Sequence, residues 1–127
     1  MTIFDKIINK EIPSYVVWED ENYLAFLSPF SQTIGMTVVI PKQNLSAYIF
    51  DLNSEQMTGL FEAMKIVAKI LKKAFGCKIA VVFEGNAVPH IHGKLYPMGL
   101  DYLGFICTKE GDFKNLEQIY RQILANS

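Results

Sequence analysis

Both histidines of the chain, His90 and His92, lie one residue apart in the stretch Val88-Pro89-His90-Ile91-His92-Gly93-Lys94-Leu95-Tyr96-Pro97, and Lys94 follows at the next position of the same parity. Successive side chains of a β-strand point to opposite faces. On a strand, two imidazoles and an ammonium therefore share one face, while Ile91, Gly93 and Leu95 turn toward a core. Three such groups in a row make a site for an anion, for a metal ion, or for nucleophilic attack on phosphorus. The metal option lacks partners. Two histidines and a lysine do not supply the ligands that zinc takes, and the chain has no Cys-x-x-Cys pair. Neither a metal nor a cofactor is expected.

The elements that must position these groups are legible from periodicity. Ile3, Phe4, Ile7 and Ile8 recur at helical spacing and predict a short amphipathic helix that ends by Pro13. Tyr15 to Glu19 and Tyr23 to Leu27 are rich in β-formers around the turn Asp20-Glu21-Asn22, and predict an antiparallel hairpin. Ser28 to Gly35 reads as a loop. Met36 to Ile40 reads as a third strand, stopped by Pro41, with Val38 and Ile40 on one face and Thr37 and Val39 on the other.

The strongest helix is 54–75, with Asn53 as N-cap and Gln56 completing a capping box. Leu52 and Met57 are spaced for a hydrophobic staple, and Gly76 closes the helix. Met57, Leu60, Phe61, Met64, Val67, Ala68 and Leu71 form its apolar stripe, and Lys65, Lys69, Lys72 and Lys73 a solvated face. The apolar run from Cys77 to Glu84 predicts a central strand buried on both faces. Gly85-Asn86 is a turn signal, so this strand and the histidine segment should pair as a hairpin. Phe105 to Thr108 reads as a short strand, and Leu116, Ile119, Tyr120 and Ile123 mark one side of a last helix. The sum is a single α+β domain over residues 1–127: an antiparallel sheet with helices packed on it.

Composition narrows the function. With 127 residues, half of them apolar, the chain can bury one real core. A net charge of −1 argues against non-specific nucleic-acid binding through a basic field and leaves a local basic patch open. No run approaches the roughly 20 apolar residues of a membrane span. Asp5 interrupts what would be the apolar region of a signal peptide. Cys77 and Cys107 are too few for a disulfide framework and read as free thiols in a cytoplasmic protein.

At these residues the chain resembles the histidine-triad (HIT) nucleotide hydrolases and transferases. Ile3 to Pro13 is similar to the family's opening helix and its exit, and Trp18 to Leu27 to its first hairpin. Gly35-Met36-Thr37-Val38-Val39-Ile40-Pro41-Lys42 is similar to the segment usually written Gly-His-x-Leu-Val-Ile-Pro-Lys, and Val88-Pro89-His90-Ile91-His92 to the signature strand. The resemblance runs in order through residues 1–97; residues 98–127 are a divergent extension. It implies a HIT-like fold, a small-molecule nucleotide as ligand, and a homodimer joined through the long helix and the edge strand beside it. The exposed-looking Tyr48 and Phe50 are compatible with such a dimer. It also implies that His92 is a nucleophile toward an α-phosphorus, forming a nucleotidyl-imidazole that water cleaves. His90 would orient it through its backbone carbonyl and keep its ring by the phosphate. Ile3, Phe4, Ile7 and Phe26 would wall the base and ribose pocket; Asn86 and Ala87 would lie near the phosphate.

The departures bear on turnover. The third histidine is Lys94, and Met36 replaces the histidine after Gly35. Ser28 stands where an acidic residue often holds the ribose hydroxyls. Ala87 lacks the usual hydroxyl, and the loop from Glu84 to Val88 is short. Thr2 and Asp5 stand where some bacterial members carry a cysteine pair for zinc. Lys94 can stabilise phosphoryl charge as a point cation, but a lysine does not readily protonate a leaving group at neutral pH. His90 remains the candidate for proton transfer. A hydrolase or nucleotidyl transferase is thus the leading expectation, with a non-catalytic phosphate-binding module as the alternative.

Overall fold

A computed structural model describes residues 2–28 and 34–99, together with Glu117, Arg121, Leu124 and Ala125. Among the described residues five strands, β1 (Val16–Glu19), β2 (Tyr23–Leu27), β3 (Thr37–Pro41), β4 (Ile79–Val82) and β5 (Gly93–Pro97), form one antiparallel sheet in the order β1-β2-β3-β5-β4. A short helix, α1 (Ile3–Ile8), covers one face, and the long helix α2 (Ser54–Phe75) covers the other. The architecture is α+β. No helix among the described residues is long and apolar enough to cross a membrane.

The alternation of β3 separates two cores. Val38 and Ile40 join Leu24, Phe26, Phe4 and Ile7 beneath α1. Val39 joins Ala25, Leu95 and Ile91 beneath Leu60, Met64, Val67 and Leu71 of α2. Each of these large apolar side chains contributes about 1.5–3 kcal/mol by leaving water.

The ends of α2 are set by side chains near in sequence. Asn53 Oδ1 accepts from Gln56 N at 2.8 Å, and Gln56 Oε1 accepts from Asn53 N at 3.0 Å. Gly76 ends the helix in the left-handed conformation. In the first hairpin Asp20 Oδ1 accepts from the N–H groups of Asn22 and Tyr23. That hairpin carries a bulge between Val16 and Trp18, which the alternating pattern does not reveal.

Three expectations need correction. The run Cys77 to Glu84 is not a central strand: β4 lies at the sheet edge, with Val81 42% exposed. The central strand is β3, buried at all five positions because β2, β5 and both helices surround it. An apolar run reports burial, not which neighbours supply it, and α2 covers only part of β4. Secondly, β5 begins at Gly93, so His90 and His92 precede the strand. Pro89 offers no N–H to a ladder, and His90 N donates to Val88 O at 2.8 Å in a tight turn. The pairing with β4 still holds, from Val82↔Lys94 to Ile79↔Pro97. Thirdly, Phe61 is 47% exposed at the margin of the helical stripe, its ring against Phe83 at 5.6 Å, and Ala63 is buried in the core. The expected strand Phe105 to Thr108, and Leu116, Ile119, Tyr120 and Ile123 of the last helix, lie outside the described residues.

Candidate functional site

The parity expected for a strand survives although the histidines are not on one. Lys94 pairs with Val38 and so faces the α1 side, where Phe4 meets the rings of His90 at 5.9 Å and His92 at 5.0 Å. Ile91 and Leu95 enter the α2 core. Gly93 is obligatory between them: a Cβ there would fall 2.5 Å from Met64 Sδ and 3.1 Å from the Phe83 ring. The chain thus passes close under α2 while it presents its polar groups to the opposite face.

His90 is completely buried. Its ring Nε2 donates to Pro41 O at 2.8 Å, tying the histidine segment to the end of β3. Among the described residues its Nδ1 has no hydrogen-bond partner, and Asp5 Oδ1 lies 3.8 Å away. Its backbone carbonyl accepts from His92 Nδ1 at 2.8 Å. A carbonyl only accepts, so the proton of a neutral His92 sits on Nδ1 and the free base position is Nε2. His90 is therefore placed to orient His92. Its ring is not among the residues that line the cavity, and the Pro41 carbonyl holds it in the core.

A cavity of about 520 Å³ opens beside His92. Of the residues singled out from sequence, Ile3, Phe4, Ile7, Phe26, Ser28, Ala87, His92 and Lys94 line it; Asn86, which is exposed, does not. Ile12, Leu27 and Met36 extend the apolar wall. Met36 adds a buried thioether to this wall. Thr2 and Asp5 form a reciprocal cap on α1: Asp5 Oδ2 accepts from Thr2 N at 2.8 Å, and Thr2 Oγ1 accepts from Asp5 N at 3.3 Å. The backbone N–H of Thr2 is the chief group that holds the Asp5 carboxyl below its ordinary range, against the opposing effect of burial.

Sequence reasoning missed Glu84. Its Oε1 lies 3.2 Å from His92 Nε2 and 3.4 Å from Lys94 Nζ. Its Oε2 accepts from Asn86 N at 2.7 Å and Ala87 N at 3.2 Å. Burial pushes this carboxyl up, but the Asn86 N–H and the Lys94 ammonium outweigh it, so the group sits below its ordinary range. The available signal was an acid just before the Gly85-Asn86 turn, where a carboxylate can collect the turn's N–H groups. Gly85 takes φ +74° with Ala47 O near, so the turn cannot carry a side chain without strain.

A model of the HIT domain matches residues 9–95, more than half of the chain. The protein belongs to the HIT family. An uncharacterised HIT-like protein of Methanocaldococcus jannaschii is 32% identical over 97% of this chain and 98% of its own. The adenosine 5′-monophosphoramidase of Saccharomyces cerevisiae is 33% identical over 97% of this chain and 80% of its own. A HIT-like protein of Bartonella henselae, solved by crystallography with an unknown ligand, superposes with a TM-score of 0.69 at 32% identity, covering 98% of this chain and 94% of that one.

Proposed function

We propose that this HIT protein is a nucleotide-binding hydrolase or nucleotidyl transferase that attacks the α-phosphate of a purine nucleotide through His92, forming a covalent nucleotidyl-histidine. The reading rests on one observation above the others: His92 Nδ1 is committed to the His90 carbonyl, which turns Nε2, with Glu84 Oε1 at 3.2 Å, toward an apolar cavity. Ile3, Phe4, Ile7 and Phe26 would hold the base and ribose, with Ser28 and Ala87 at the wall. Lys94 would neutralise the phosphoryl oxygens. A phosphoramidate or a dinucleoside polyphosphate fits this chemistry, and the yeast relative's name supports the former.

In the reaction, Nε2 forms a bond to phosphorus as the bond to the leaving group breaks. Water then cleaves the nitrogen–phosphorus bond, returning the imidazole and releasing the nucleoside monophosphate. The test is turnover of an adenosine phosphoramidate and of a dinucleoside polyphosphate by the wild type and by His92→Ala. Loss of turnover in the variant is expected. No turnover of either substrate by the wild type, or equal rates in the variant, would sink the catalytic reading.

Lys94 favours a second reading, a nucleotide-binding module without turnover, because the third triad position lacks an imidazole to protonate the leaving group. A covalent adduct trapped on His92 would exclude it. The proposal includes a cytoplasmic homodimer. Among the described residues β4 has no strand partner on its outer side, and with Val81 and Phe61 exposed beside it this edge supports pairing with a second copy. Sedimentation at micromolar concentration should give twice the monomer mass, and Val81→Lys should halve it.

A further inference from the structure

The place where phosphorus would meet His92 is already filled. His92 Nδ1 donates to the His90 carbonyl, so a neutral ring has only a lone pair at Nε2. Facing that lone pair at 3.2 Å is Glu84 Oε1. An ionised carboxylate also has only lone pairs, and two acceptors at this distance repel unless a proton lies between them. The separation is that of a near-attack complex, in which reacting atoms stand about 3–3.5 Å apart. Glu84 Oε1 also takes the Lys94 ammonium at 3.4 Å, while Oε2 takes the N–H groups of Asn86 and Ala87. An imidazolium, an ammonium and a pair of backbone N–H groups are the donors that a phosphoryl group uses.

We propose that Glu84 is an internal occupant of the phosphoryl seat, sharing one proton with His92 and keeping Nε2 from acting as a nucleophile until a phosphorylated ligand displaces the carboxylate. The proposal rests on the reading of His92 as the nucleophile. On displacement the Nε2 proton passes to water, Glu84 withdraws as the carboxylate that its lowered pKa favours, and the Nε2 lone pair is left facing phosphorus. The other charged groups around this pair are Lys94 of β5 and, behind His90, Asp5 of α1. A ligand must outcompete Glu84 for Lys94, so the seat selects phosphoryl groups over neutral nucleosides.

Glu84→Gln tests this. The amide keeps the size, can still accept from Asn86 and Ala87, and can donate to the Nε2 lone pair. Two measurements at pH 7 are needed: long-range nitrogen–proton NMR of the two imidazoles, and calorimetric titration with adenosine monophosphate and with inorganic phosphate. The wild type should show both nitrogens of His92 protonated, and the variant only Nδ1. Both anions should bind the variant about tenfold more tightly, since the neutral amide no longer competes by charge for Lys94. An unprotonated Nε2 in the wild type, or no gain in affinity for phosphate, would overturn the proposal. If the imidazole states and the gain for inorganic phosphate are as expected but adenosine monophosphate binds neither protein, the internal occupant stands and the nucleotide reading falls.

Discussion

Replacing His90 separates a structural strut from a proton carrier. The ring is wholly buried and its Nε2 satisfies the Pro41 carbonyl at 2.8 Å. His90→Ala leaves that carbonyl unpaired, at a cost of about 1–3 kcal/mol, and opens a cavity under Phe4. Large-to-small changes at such sites cost about 2–5 kcal/mol in total, so a combined loss of roughly 4 kcal/mol is expected. That is a large part of the about 5–15 kcal/mol that a domain has. With a urea m-value of about 2 kcal/mol/M, the unfolding midpoint should fall by about 2 M. His90→Gln can still reach Pro41 with an N–H donor and should recover about 1–3 kcal/mol of the loss. Its backbone carbonyl still faces His92 Nδ1, so catalysis should largely persist. Urea unfolding of the three proteins, with a turnover assay on the folded fraction, decides the matter. A loss below about 1 kcal/mol for His90→Ala would refute the strut, as would a stable His90→Gln variant with no activity, which would put the ring in the chemistry.

Other outcomes follow from the same geometry. Lys94→Gln removes the ammonium that faces Glu84 and should weaken binding of adenosine monophosphate roughly tenfold, read by calorimetry, with little change in fold because this side chain is partly exposed. Asn53→Ala removes the α2 cap and should cost about 1 kcal/mol in thermal or urea unfolding. Asn53 is not on the cavity wall, so turnover should be unchanged. Asp5, Glu19 and Glu84 all have carboxyl pKa values lowered in the folded state, by the Thr2 N–H, by Lys42 and Lys10, and by the Asn86 N–H and Lys94 against burial. A folded pKa below the unfolded one stabilises above the unfolded value and is lost as pH falls through the folded value. The melting temperature should therefore drop on acidification below about pH 4, and Glu19→Gln should flatten part of that drop.

The helices α1 and α2, the strands β1 to β4 and the parity of the histidine segment followed from local rules. The α2 caps depend on residues three apart, and the faces of β3 on alternation, so short-range spacing was enough. The family could also be read from the order of its segments. The place of the 77–84 run at an edge could not, because strand order depends on partners distant in sequence. Nor could the roles of the two histidines be separated. His90 and His92 have the same side chain and parity, and only the approach of Pro41, 49 residues away, makes one a buried strut and leaves the other beside the cavity. The sequence by itself determined that two imidazoles and an ammonium face one way. Only the tertiary structure decided that a carboxylate stands among them, because Glu84 reaches His92 and Lys94 through the folding of the loop between β4 and β5.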